Sequence, residues 1–220
     1  MSKFTTPAPI SAVLDIPAGL VRFIAADRAD TVVEVLPADA AKGRDVRAAQ
    51  ETSVDCVDGV LRVETPVRNQ LLGASGAVEV TVQLPAGSRV EAKAAGAEFR
   101  GVGRLGDVVF EGSHGEIKID EATSVRSTTA AGDVSVGRLH GSAEISTAKG
   151  DIHIAEARGG TLVLRTRAGH VSVGAAAGVS AALDAGTARG RVHNTLRNTG
   201  DVDLEIRATT DDGDITARAL

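Results

Sequence analysis

Ser127-Thr128-Thr129-Ala130-Ala131-Gly132-Asp133-Val134-Ser135-Val136 is followed by a near copy, Ser146-Thr147-Ala148-Lys149-Gly150-Asp151-Ile152-His153-Ile154. The pattern glycine, any residue, aliphatic, polar, aliphatic recurs on both sides. Gly115-Glu116-Ile117-Lys118-Ile119 precedes the pair, Gly169-His170-Val171-Ser172-Val173 follows it, and two degenerate copies begin at Gly190 and Gly213. The gaps between these glycines are 17, 18, 19, 21 and 23 residues. A period of this length, with two strand-like runs in each copy, marks stacked supersecondary units rather than a centrally packed globule.

Columns read through the copies assign the faces. The second and fourth positions after each glycine, Ile117/Ile119, Val134/Val136, Ile152/Ile154, Val171/Val173, Val192/Asn194 and Ile215/Ala217, are expected to point inward. The third position, Lys118, Ser135, His153, Ser172, His193 and Thr216, is expected to face water. Thr129, Thr147, Thr166, Thr187 and Thr210 each stand three residues before a glycine, which suggests a ladder of hydroxyls bonded from rung to rung. The fold expected is all-β: a β-solenoid, a parallel β-helix-like stack with two strands per rung, over residues 89–220. Six or seven rungs about 4.8 Å apart would make a rod of roughly 30 Å.

Residues 1–88 read as an N-terminal antiparallel β region that caps the stack. Residues 12–16, 20–24 and 31–36 are strand-like, and Pro37 stops the last of them. A loop with one helical turn near Val46 to Gln50 comes next. Asp58-Gly59 then signals a hairpin joining residues 53–57 to 60–64. A second loop, Pro66 to Gly76, leads to the alternating run Val78 to Leu84.

Composition supports the all-β reading and removes several functions. Gly occurs 25 times, Phe four times, and Trp and Tyr are absent, so small and β-branched side chains must fill the core. The net charge of −5, with basic residues scattered among acids, lacks the footprint of a nucleic-acid binder and argues equally against an anionic membrane surface. The first residues carry no apolar run of signal-peptide length, so the expectation is a cytoplasmic protein. Cys56 stands alone in an alternating run and reads as a small buried hydrophobe.

The repeated Thr-x-x-Gly-Asp-Val/Ile, at Thr129 to Val134, Thr147 to Ile152 and Thr210 to Ile215, resembles a bacterial domain-of-unknown-function family of putative adhesins, its actinobacterial members in particular. Val78 to Ser88 and Gly190 to Leu196 are similar to stretches of those members too. The resemblance covers most of the chain. It implies a β-solenoid behind an N-terminal β region, and no established activity.

No catalytic constellation stands out. Gly101-Val102-Gly103-Arg104-Leu105-Gly106 has dinucleotide-loop spacing, but a strand-like run follows where a helix would be needed. Glu116, Asp133 and Asp151 form a column just after the glycine, with Asp214 further on, and stacked carboxylates can ligate calcium. Against this, Asp after Gly is ordinary turn chemistry, and His170 and Arg191 interrupt the column. The expectation is therefore no cofactor and no metal, with Glu116, Asp133 and Asp151 as the residues to inspect. His153 and His193 share one column with a rung between them, too far apart for one zinc. The function expected is a non-enzymatic structural or protein-interaction scaffold with an unknown protein partner. The alternatives are self-assembly through the open rung edge near Ile215, and an adhesin or carbohydrate-binding β-helix.

Overall fold

The structure, a computed structural model, describes residues 1–66 and 76–220, so the loop expected from Pro66 to Gly76 lies almost wholly outside the described residues. Among the described residues seventeen strands join in one mixed sheet wound into a β-solenoid. Each layer has two strands, here A and B, meeting at a corner. Alternation of buried and exposed residues runs through both strands, because period-2 sequences present one face inward.

The regular layers come from β7 (Arg89–His114), β8 (Ile117–Ala131), β9 (Val134–Leu139), β10 (Ala143–Lys149), β11 (Ile152–Ala157), β12 (Gly160–Ala168) and β13 (Val171–Ala175). All pair in parallel, each layer on the one before it. The predicted inward positions of these layers, Ile117 through Val173, are 0–3% exposed.

The C-terminal layers break the sequential order. β14 (Ala181–Arg189) and β15 (Val192–Thr195) do not stack on β12 and β13. The last layer of the chain, β16 (Leu204–Asp212) and β17 (Ile215–Ala219), lies between them. β16 pairs with β12 on one side and β14 on the other, and β17 pairs with β13 and β15. The chain thus runs out one layer too far and returns to fill the gap. Two expectations are corrected. Ile215 lies in an interior strand, and the outer edge belongs to β14 and β15. Val192, expected inward, is 46% exposed because no further layer covers it.

The N-terminal end is built in the same way. β2 (Ser11–Ala26) forms a full layer that pairs in parallel with β7 along its length. Its other edge takes β5 (Val60–Glu64) and β6 (Val78–Pro85), also in parallel. The antiparallel pairings lie beyond these. β4 (Ser53–Val57) pairs with β5 through the Asp58-Gly59 turn, where both residues have positive φ as a two-residue hairpin demands. β3 (Asp30–Pro37) pairs with β6, and β1 (Ser2–Thr5) with β3. The helix α1 (Gly43–Glu51) exceeds the single turn expected there. It is held at its start by Asp45, which accepts the Ala77 N–H at 3.0 Å.

One hydrophobic core runs through all the layers. Its widest section holds the rings of Phe23, Phe99 and Phe110, with centroids 5.7 and 5.4 Å apart in successive pairs. Beyond them Ile, Val, Leu and Ala suffice.

Candidate functional site

The corner between strands A and B is where the repeated motif does its work. Gly150 has φ +146°, and a Cβ there would lie 2.6 Å from the carbonyl carbon of Gly132 in the layer below. Only glycine lets one corner sit this closely on the next.

The threonines before the glycines form a ladder of a different kind from the one expected. Their hydroxyls do not bond to one another. Thr166 donates to the carbonyl of Gly150 at 3.0 Å, Thr210 to Gly169 at 3.0 Å and Thr187 to Gly213 at 2.9 Å. Thr147 shares its hydroxyl between the Gly132 carbonyl at 3.4 Å and the Lys149 carbonyl at 3.3 Å, and Thr129 shares its own between Ser113 at 3.3 Å and Ala131 at 3.4 Å. Each hydroxyl thereby satisfies a corner carbonyl of the preceding layer.

The post-glycine column forms a second ladder. Asp133 Oδ1 accepts the Asp151 N–H at 2.8 Å, and Asp151 Oδ1 accepts the His170 N–H at 2.7 Å. His170 Nδ1 accepts the Asp214 N–H at 2.9 Å, and Asp214 Oδ1 accepts the Arg191 N–H at 2.8 Å. Glu116 is ion-paired instead with Lys118 at 2.8 Å. Of the three carboxylates singled out, Asp133 and Asp151 each have one oxygen bonded to the main chain of the layer above, and Glu116 stands outside the ladder. Among the described residues no group of three or more His, Cys, Asp or Glu is placed to hold a metal ion. His153 and His193 share a column, but Ser172 and Thr216 stand between them, so they are three layers apart rather than two. Burial pushes the Cys56 thiol up, aided by Asp55, which keeps it protonated.

Among the described residues open grooves cross the outer faces, and two of them lie over the regular layers. On the B side, near Leu220, one of about 470 Å³ contains Glu121, Arg138 and Glu156 in successive layers. Glu121 accepts from His140 Nε2 and from Arg138, each at 2.8 Å. The His140 bond, and then the Arg138 charge, hold its carboxyl below the usual glutamate range. On the A side lies a groove of about 420 Å³. Val109, Arg126, Glu144 and Val163 follow one another in register across four layers along one side of it. Arg126 and Glu144 pair at 3.4 Å, and Ser124 beside them donates to Asp107 at 2.6 Å. The signal for this groove in the sequence is a pair of valines at outward positions, Val109 and Val163, which the inward-column reading passed over.

The fold and corners define a β-solenoid built on glycine, threonine and post-glycine acceptor columns. The chain belongs to the Toastrack DUF4097 family, whose model matches residues 19–219. Among solved structures it is similar to a putative adhesin from Bacteroides fragilis, at 8% identity and TM-score 0.49, covering 98% of this chain and 95% of that one. It is also similar to a putative lipid binding protein from Parabacteroides distasonis, at 12% identity and TM-score 0.48 with the same coverage. A putative cell adhesion protein from Clostridium sporogenes aligns over 100% of this chain and 98% of its own, at 11% identity and TM-score 0.38. No curated protein matches the chain.

Proposed function

We propose that the protein is a non-enzymatic interaction scaffold, and that the A-side groove is where it engages a protein partner. The observation that carries this reading is one outward column of the groove, in which two valines flank the Arg126–Glu144 pair across parallel strands. An apolar contact on each side of a charge pair suits an extended partner segment lying across the strands, with the valines supplying contact and the ions fixing register. The corner ladders support the same reading, because they use the most regular polar columns of the chain for holding layers together.

The test is capture of the partner from cell extract by the native chain and by two variants. Val163→Asp should abolish capture, whereas Ser135→Asp, on the B face, should leave it intact. Equal capture by both variants contradicts the proposal.

A second reading, self-assembly, is favoured by the outer edge of β14 and β15, beyond which no further layer follows among the described residues, with only the start of β14 covered, where the Arg197 carbonyl accepts the Ala181 N–H at 2.8 Å. Light scattering during size exclusion, over about a hundredfold range of concentration, separates the two. A constant mass near 22.4 kDa or twice that value supports the scaffold, and a mass rising with loading supports assembly.

A further inference from the structure

The post-glycine ladder contains one member of a different chemistry, and it stands at a special place. Asp133, Asp151 and Asp214 accept through carboxylate oxygens, whereas His170 accepts through Nδ1. His170 belongs to the last layer stacked in chain order. The amide it holds, that of Asp214, belongs to the inserted C-terminal layer, 44 residues later in the sequence.

An imidazole nitrogen accepts a hydrogen bond only when it carries no proton. The bond at Asp214 therefore requires the neutral ring with its hydrogen on Nε2. Proton uptake turns Nδ1 into a donor facing another donor. The bond is present while the ring is neutral and lost when the ring takes up a proton, whereas an ionised carboxylate in the same column offers only acceptors. Histidine is the one residue of this column whose charge ordinarily changes between about pH 5 and 8.

The charged groups around the ring come from three layers. Asp151 and Lys149 lie below it, and the Asp151 carboxylate holds the ring residue's own N–H. Arg167 is on its own strand A. Asp212 and Asp214 lie above, with Asp212 ion-paired to Arg189 at 3.1 Å and Asp214 bonded to the Arg191 N–H. The acceptor of the Asp214 amide is Nδ1 of His170, while Asp151 and Asp214 each hold a different main-chain N–H and Asp212 is paired with Arg189.

We propose that His170 is a pH-operated latch on the C-terminal layer: neutral, it holds the corner of that layer through the Asp214 amide; protonated, it releases it. The layer that responds is the one inserted between β13 and β15, so release loosens the contact between the sequential stack and the end of the chain. The inference is independent of the scaffold reading.

Amide hydrogen exchange of the full chain, resolved by NMR and corrected for the intrinsic pH dependence of exchange, tests it. Protection of the Asp214 amide should fall about tenfold from about pH 8 to about pH 5, the loss of one net hydrogen bond. The Asp151 and Arg191 amides, held by carboxylates, should keep theirs. Ring nitrogen shifts should show His170 as the Nε2–H tautomer at the higher pH and doubly protonated at the lower. In His170→Asn, where an amide oxygen replaces Nδ1 and does not titrate, Asp214 should stay protected at both values. Protection at Asp214 that is unchanged while the ring titrates, that falls equally in His170→Asn, or that is absent from that variant at both values overturns the proposal.

Discussion

Thr187 donates its hydroxyl to the carbonyl of Gly213, 26 residues later in the chain, at 2.9 Å. In their contacts with the neighbouring layer, the other threonines of this column reach backwards in sequence, Thr210 to Gly169 among them. The reversal at Thr187 marks the inserted layer: the hydroxyls always reach the layer on the N-terminal side of the rod, and there that layer is the last one made.

The threonine ladder should therefore be energetically uneven. Thr210→Val keeps the β-branched stem and removes a buried donor, so it should cost about 1 kcal/mol. Thr187→Val, half-buried in the outermost layer, should cost less. Urea unfolding of the two variants measures the difference, and equal costs would contradict the layer assignment.

Val134 is buried at 0% exposure, and Ser135 beside it faces outward. Val134→Asp places an unpaired charge in the core and should remove several kcal/mol, enough to unfold the solenoid. Ser135→Asp should stay within about 0.5 kcal/mol. Thermal melting of both variants reads the contrast.

Gly150→Ala should destabilise by about 2 kcal/mol or more, since the added Cβ meets the Gly132 carbonyl in a conformation L side chains rarely adopt. Gly186→Ala is a fair control, because nothing lies within 4 Å of a Cβ at that position. Chemical denaturation of the two chains should separate them clearly.

Ser127 is 1% exposed, and its hydroxyl has no hydrogen-bond partner among the described residues. Its neighbours in register are Phe110 and Ile145, so the site is apolar. Ser127→Ala should leave stability unchanged or raise it by about 1 kcal/mol. A loss of stability would show that the hydroxyl has a partner after all.

Glu121 gives the fold an acid-sensitive point. Its carboxyl is held below the usual range in the folded state, first by His140 and then by Arg138. The stability it contributes is therefore present above the unfolded-state value and lost as pH falls through the lower, folded-state value. Glu121→Gln should lose a small, solvent-screened amount of stability at neutral pH and converge with the native chain in acid, which flattens the acid limb of the stability curve. An acid limb that is identical in both chains would remove Glu121 from the account.

Much of the architecture was legible because its causes are local. Inward pairs such as Val134/Val136 and Ile152/Ile154 must alternate with polar residues, and Gly132 and Gly150 must recur where corners touch. The hairpin at Asp58-Gly59 was legible for the same reason. Layer order was not read: the copy at Gly190 carries Asn194 at an inward position and Arg191 in the acceptor column, which mark an uncovered outer layer only once the order is known. The N-terminal layer was hidden because β2 turns its corner at Gly19 without the Thr-x-x-Gly-Asp motif, and its partners come from distant positions 60–64, 78–85 and 89–102. The roles of Asp133 and Asp151 depend on side-chain direction. A column of carboxylates reads equally as cation ligands or as amide acceptors until the amides above them are placed. His170, which seemed to interrupt that column, continues its function through another atom type. The groove was missed because Val109 and Val163 gain meaning only when Arg126 and Glu144 are seen between them.

The layer order underlies the ladders and the latch alike, and one cross-linking measurement tests it. In a Cys56→Ser background, Ser172→Cys with Thr216→Cys places two thiols in register on adjacent strands, about 4.8 Å apart at Cα and within disulfide reach. Ser172→Cys with His193→Cys places them two layers apart, about 10 Å, beyond that reach. Under mild oxidation the first pair should close to an intramolecular disulfide and the second should not. Closure of the 172–193 pair, with the 172–216 pair remaining open, would mean that the layers stack in chain order and would contradict the inserted C-terminal layer.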